Sequence, residues 1–314
     1  MRLPRTPPFA GQAGPLDKLL SVRQESQALA GPIANTQNTH FTVLFDFLAF
    51  FGLVSLLVIL CTGWFSSRVQ RPPTWFLYIF SWMFYSIGLL LMLGHQHASE
   101  PGFAICLTQA MTLYANPVFV STSTMSFLIK VLLDTRYKLK GKSTSTRQMT
   151  ALLAVPIISW IAILLEVLIF GLKNRSAVQR EASGMFCHIT SPLPEQISGS
   201  IVMALIITSL PINFAIALTI LRNKHSWSTL FGKEYTPTLV LRVVLFDATP
   251  LLGLALDVAE YIPPKFENLP ALNAMLALLP ALAGIAFMSQ RDILRAWMFW
   301  LPPEKPKAVE FMPH

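Results

Sequence analysis

The chain has 314 residues, of which 53% are hydrophobic and 13% are charged, and its formal net charge is +8. So high an apolar share is typical of a membrane protein rather than of a soluble globular protein. The surplus of Lys and Arg does not indicate nucleic-acid binding. These residues collect beside apolar runs, where they set membrane topology and are attracted to the anionic inner leaflet.

The first 40 residues are polar and rich in Pro, Gly and Gln. They lack the basic stretch, apolar core and small-residue cleavage site of a secretory signal peptide. We therefore predict residues 1–40 to be an extracellular, mostly disordered tail. One or two amphipathic helical turns within residues 15–30 are the alternative.

Seven apolar runs follow, each long enough for the roughly 20 residues that a helix needs to cross a bilayer. The sequence thus predicts an all-α membrane protein with a seven-transmembrane helix bundle at residues 41–289. After it, "SQRDILRAWMFWLPP" predicts a short amphipathic eighth helix at 290–302, on the inner leaflet, before a tail at 303–314. The seven predicted spans are 41–65, 74–94, 102–133, 150–172, 197–221, 238–261 and 271–288.

The distribution of basic residues predicts the orientation of the bundle. Sixteen of the 24 Lys and Arg residues lie in or beside the loops on one side, and eight lie on the other. The positive-inside rule then places the N-terminus outside the cell and the C-terminus in the cytoplasm. We expect a multi-pass protein of the plasma membrane, whose first partner is the lipid bilayer.

Two of the three cysteines are predicted to face outward. Cys106 lies near the outer end of the third span, and Cys187 lies in the loop between the fourth and fifth. An oxidising exterior permits a disulfide between them, with two unpaired thiols as the alternative. Cys61 reads as a small apolar residue of the first span. Asn174 begins an Asn-Arg-Ser glycosylation sequon on the same side, close to the membrane.

Polar residues inside spans are costly and usually face the bundle interior or a cavity. Several fall in the outer part of the predicted bundle, whereas Asp247 lies deeper in the sixth span. If the outer ones converge, they form an acidic pocket for a cationic or strongly hydrogen-bonding ligand. The alternative is that each lies near the interface or bonds a neighbouring helix. The candidate pocket residues are Asp46, Gln109, Tyr114, Glu166, Asp257 and Asn273.

The sequence offers no apparatus for catalysis. All six histidines lie outside the predicted span interiors, which argues against a haem or zinc site at membrane depth. The chain has no Gly-rich phosphate loop and no activated serine motif. We therefore predict neither an enzyme nor a bound cofactor or metal.

The cytoplasmic end of the third span carries "LLDTRYKLKGK", from residue 132 to residue 142. Asp134 and Arg136 are two residues apart, about 200° around a helix, so they do not face one another. Arg136, with Tyr137 beside it, could dock a cytosolic protein. A solvated basic helix end is the alternative.

Three stretches carry a resemblance to a known family: "CLTQAMTLYANP" from Cys106, "FCHITSPLP" from Phe186 and "SQRDILRAW" from Ser289. With the seven spans and the outside N-terminus, the chain resembles G-protein-coupled receptors, in particular the orphan receptor-like proteins of mushroom-forming fungi. The resemblance covers roughly residues 41–300. It implies a receptor for an unknown extracellular ligand that signals to a heterotrimeric G protein. The alternative is a small membrane transporter or channel that uses the intramembrane acidic residues.

Overall fold

The computed structural model describes residues 15–66, 69–96, 101–138, 144–181, 183–222, 237–247 and 269–298. This part of the chain is mostly helical. Its α-helices are α1 (Pro15–Phe65), α2 (Pro73–Leu90), α3 (Phe103–Lys138), α4 (Thr146–Lys173), α5 (Pro192–Arg222), α6 (Pro237–Asp247), α7 (Leu269–Met288) and α8 (Arg291–Trp297). A 3-10 turn at Arg175–Ala177 and two short strands, β1 (Val178–Arg180) and β2 (Cys187–Ile189), lie between α4 and α5.

Within the described residues, five helices are long and apolar enough to cross a membrane. They are Thr39–Phe65, Pro73–Leu90, Phe103–Tyr137, Thr146–Lys173 and Pro192–Arg222. These five match the first five predicted spans. The structure describes the sixth predicted span, 238–261, only as far as Asp247. The seventh predicted span, 271–288, coincides with α7, which contains the shorter apolar helix Asn273–Met288.

Helix α1 begins well before the predicted first span. It starts at Pro15, so residues 15–40 are helical where the sequence predicts a mostly disordered tail. Extending an existing helix adds one hydrogen bond per residue and avoids the cost of a new nucleus. The polar composition of the segment, on which the prediction rested, does not prevent such an extension.

Local sequence signals explain where two helices begin. Pro73 stands at the start of α2, where its fixed φ suits a first helical turn and no N–H is needed. Before α4, the backbone N–H of Gln148 donates to Ser145 Oγ over 3.3 Å, and the N–H of Ser145 donates to Gln148 Oε1 over 3.2 Å. This capping box satisfies two amides that the helix itself cannot.

Helix α3 lies at the centre of the bundle, in contact with α2, α4, α5 and α6. Around it, α1 contacts α2 and α7, α4 contacts α5, and α6 contacts α5 and α7. Successive helices alternate in direction, so the bundle has two ends. We call the end with β1 and β2 the hairpin end, and the opposite end, with α8, the α8 end.

Small residues let α1 and α7 pack closely. A Cβ atom added to Gly52 would lie 3.0 Å from the backbone carbonyl carbon of Pro280, and one added to Gly284 would collide with Ser55 Oγ. Close backbone approach of this kind is how helices associate in lipid, where no hydrophobic force drives them together. Some large apolar side chains are fully buried, as Trp75 is, whereas others are exposed on the outside of the bundle, as Phe214 is, where they suit contact with acyl chains.

Candidate functional site

A small hairpin covers one end of the bundle. Strands β1 and β2 pair antiparallel, with Val178 opposite Ile189 and Arg180 opposite Cys187. The predicted disulfide between Cys106 and Cys187 is present and joins β2 to the first turn of α3, with the two Cα atoms 5.2 Å apart. The hairpin is therefore covalently attached to the central helix.

Two candidate pocket residues of α3 hold the hairpin in place. The side chain of Gln109 accepts the backbone N–H of Cys187 over 2.8 Å and donates toward the carbonyl of Leu89 in α2 over 3.4 Å. The hydroxyl of Tyr114 accepts the N–H of Ile189 over 3.2 Å and lies 3.4 Å from its carbonyl oxygen. Both side chains are thus occupied by backbone groups of β2.

Two further candidates reach the same region from α1 and α7. Asn273 Nδ2 donates to Ser183 Oγ over 3.1 Å, which joins the start of α7 to the hairpin. Asp46 Oδ1 accepts Gln96 Nε2 over 2.7 Å, and the carbonyl of Gln96 accepts a guanidinium N–H of Arg180 over 3.4 Å. Asp46 is therefore linked to the hairpin through Gln96.

The remaining candidates at this end stand apart. Glu166 lies half-buried on α4, and within the described residues its Oε2 has no hydrogen-bond partner. Asp257 lies outside the described residues. Asn174 is exposed at the end of α4, and its Nδ2 donates to the carbonyl of Phe170 over 3.1 Å. The structure thus brings four of the six pocket residues together around the hairpin.

The turn of the hairpin depends on a glycine. Gly184 has a φ of 78°, in the left-handed region where side chains with a Cβ are strained. A Cβ atom at this position would also lie 3.2 Å from the carbonyl oxygen of Gln96. Beyond the turn, Met185 and Cys187 are completely buried, so the hairpin fills the mouth of the bundle.

At the α8 end, α3 carries a buried ion pair. Lys130 Nζ lies 2.5 and 2.6 Å from the two carboxylate oxygens of Asp134, one helical turn away, and both residues are buried. Thr144, just before α4, donates to Asp134 and accepts Lys130 Nζ over 3.3 Å. We call Lys130, Asp134 and Thr144 the α3 latch, because they tie the end of α3 to the segment that leads into α4.

The other two residues of the predicted cytosolic contact lie beside the latch. Arg136 is exposed, as two-residue spacing from a buried Asp134 requires. The hydroxyl of Tyr137 accepts Gln148 Nε2 from α4 over 2.9 Å. Sequence analysis did not assign Lys130 as the partner of Asp134, although its four-residue spacing is a signal for such a pair.

Helix α8 is fixed to the loop between α1 and α2. The buried guanidinium of Arg71 pairs with Asp292, donates to Gln290 Oε1 over 3.0 Å and lies 5.6 Å from the ring centre of Trp75. Burial lowers the pKa of Arg71, and the charge of Asp292 opposes that shift. A few residues on, Trp297 Nε1 donates to Thr62 Oγ1 over 2.8 Å.

A third basic residue joins α6 to the end of α7. Arg242 donates to the carbonyl of Ala286, to Ser289 Oγ over 2.8 Å and to the carbonyl of Ser289 over 3.4 Å. Carbonyls at a helix C-terminus lack partners within the helix, and a guanidinium supplies several donors to them. The α8 end is thus held by charged side chains.

Within the residues described, no group of three or more His, Cys, Asp or Glu side chains is arranged to hold a metal ion. Neither a protein-family model nor a curated protein sequence matches the chain.

Proposed function

We propose that this protein is a plasma-membrane receptor of the G-protein-coupled type, with seven spans, an eighth helix along the inner leaflet and an extracellular N-terminus. The observation that carries the proposal is the position of α3. This one helix holds the hairpin at one end through Cys106, Gln109 and Tyr114, and carries the α3 latch at the other. A helix attached in this way can transmit a change at one end to the other.

Two features of the ends support the proposed orientation. The disulfide of the hairpin end suits an oxidising exterior. Among the described residues, more Lys and Arg lie at the α8 end than at the hairpin end, which suits the cytoplasmic side. Both features point the hairpin outward and α8 inward.

Ligand recognition in this proposal takes place against the hairpin. Because the hairpin occupies Gln109, Tyr114 and Asn273, a ligand acts by rearranging these hydrogen bonds or by binding beside them. A ligand shifts a conformational equilibrium only by its different affinity for the two states. Hydrogen-bonding or cationic ligands suit the site, since Asp46 and Glu166 lie at the same end.

The α3 latch is the proposed switch on the cytoplasmic side. With the latch closed, Lys130 and Asp134 neutralise each other and hold the segment before α4. Opening it would release that segment beside Arg136, which is already exposed for contact with a G protein. Coupling then requires that the hairpin end and the latch favour the same state.

A test that needs no ligand uses the latch itself. Asp134→Asn removes the charge that holds Lys130, and we expect it to raise basal nucleotide exchange by a co-reconstituted panel of heterotrimeric G proteins in nanodiscs. Adding Arg136→Glu should abolish the increase, whereas Arg147→Glu, at another exposed basic position of the same end, should change it little. If the folded Asp134→Asn variant gives no more nucleotide exchange than empty nanodiscs do, the proposal is contradicted.

A small transporter or channel is the second candidate, favoured by the buried carboxylate of Asp247 on α6. Buried ionisable residues often mark ion or proton pathways. Proton or cation flux in proteoliposomes, without G-protein exchange, would decide for this second function.

A further inference from the structure

A buried carboxylate lies between α5 and α6, away from both ends already described. Asp247 is 7% exposed, and its Oδ2 accepts the hydroxyl of Ser209 and, over 2.6 Å, the amide Nδ2 of Asn213. Hydrogen bonds from neutral donors stabilise an ionised carboxylate but leave its charge in place. Among the residues that the structure describes, no Lys, Arg or His forms an ion pair with Asp247.

A neighbouring amide oxygen lacks a partner among the described residues. Asn213 is 8% exposed, and within this part of the chain its Oδ1 makes no hydrogen bond, although its Nδ2 on the same planar amide is bound to Asp247. Buried polar atoms without partners are rare and mark places where an ion or a water completes the structure.

We infer that Asp247, Ser209 and Asn213 form a binding site for a monovalent inorganic cation such as Na⁺. Carboxylate, amide and hydroxyl oxygens are the ligands that hard cations prefer. The single carboxylate sets the charge of the ion, because a divalent cation would leave a net positive charge in the apolar interior.

Occupancy would join two helices. Ser209 and Asn213 belong to α5 and Asp247 belongs to α6, so an ion shared between them resists their separation. A ligand that binds only the folded state raises stability according to its concentration relative to its dissociation constant. The inference therefore predicts that the thermal stability of the protein depends on Na⁺ specifically, and not on ionic strength.

The test is thermal unfolding of the full chain in nanodiscs, with NaCl replaced stepwise by choline chloride at constant ionic strength and pH. Choline is a quaternary ammonium ion, so oxygen atoms cannot coordinate its charged nitrogen directly as they coordinate Na⁺. We expect Tm to rise with NaCl along a saturating curve. Asp247→Asn, which keeps the side-chain volume and loses the charge, should remove the dependence of Tm on Na⁺. Asn213→Ala and Ser209→Ala should each raise the Na⁺ concentration at the midpoint of this curve about tenfold.

Thr208→Ala is the matched control for Ser209→Ala. Thr208 is the adjacent residue of α5, but it is exposed and its hydroxyl donates to the backbone of its own helix. This variant should keep the Na⁺ midpoint of the wild type.

Three results would overturn the inference. One is equal Tm in NaCl and choline chloride for the wild type, which needs no variant to fold. Another is an unchanged Na⁺ dependence in Asp247→Asn, which would mean an adventitious ion only. The third is a Tm that responds to pH and not to Na⁺, which would mean that a proton alone occupies the site.

Discussion

The hairpin end and the α8 end of the bundle are held by different chemistry. The hairpin is attached to α3 by a disulfide and by neutral hydrogen bonds that Gln109 and Tyr114 accept from backbone N–H groups of β2. The α8 end is held by ion pairs, Lys130 with Asp134 and Arg71 with Asp292. A covalent link cannot open under ordinary conditions, whereas a buried ion pair loses most of its benefit once one partner moves away.

This difference suggests how the two ends divide their roles. In the proposed receptor, the hairpin end keeps a fixed shape against which a ligand binds. The α8 end would then act as the switch, because its ion pairs can exchange partners. Changes that remove one kind of attachment should therefore affect one end and spare the other.

Removal of the disulfide should have the largest effect. We expect Cys106→Ser combined with Cys187→Ser to lower the free energy of unfolding by about 2–5 kcal/mol, because the unfolded chain is no longer cross-linked between two residues that are 81 positions apart. Chemical unfolding in detergent, with and without reductant, measures this loss. Cys61→Ser, at an exposed cysteine of α1, is the control and should unfold like the wild type. Equal stability of the double variant and the control would show that the disulfide does not hold the hairpin end.

Loss of the α8 attachment should have the next largest effect. Asp292→Ala leaves the buried guanidinium of Arg71 without its carboxylate, which should cost about 2 kcal/mol and raise amide hydrogen exchange in α8. Asp292→Asn keeps an acceptor for Arg71 and should restore part of the protection. Amide hydrogen exchange in β1 and β2 should stay the same in both variants. A comparable increase in these strands would contradict the claim that the two ends are held by separate attachments.

A smaller effect is expected from one hydroxyl at each end. Tyr114→Phe leaves the N–H of Ile189 without its acceptor and should cost about 1 kcal/mol, with faster amide exchange in β2. Tyr137→Phe removes a hydroxyl that accepts Gln148, and it should leave β2 unchanged. Exchange in β2 that responds equally to both variants would contradict the assignment of Tyr114 to the hairpin.

The sequence predicted the features that depend on local pattern. Long apolar runs predicted the five candidate spans, and the outward side of Cys106 and Cys187 predicted their bond.

Long-range contacts were beyond the reach of the sequence. Gln109 and Tyr114 were recognised as polar residues that need partners, but those partners are backbone groups of a hairpin with little periodic signal of its own. Asp247 was placed deep in the sixth span, yet its contacts with Ser209 and Asn213 depend on how α5 and α6 are turned toward each other. The rotation of a helix about its axis is fixed by packing, which a single sequence does not reveal.

The central claim is that α3 couples the hairpin to the α3 latch. Amide hydrogen exchange at Cys187 and Ile189, compared between the wild type and Asp134→Asn in nanodiscs, tests it most directly, because coupling between two sites is reciprocal. Opening the latch should change the protection of these two amides at the far end of the molecule. Identical protection in the two proteins, with exchange altered only around residues 130–137, would contradict the account.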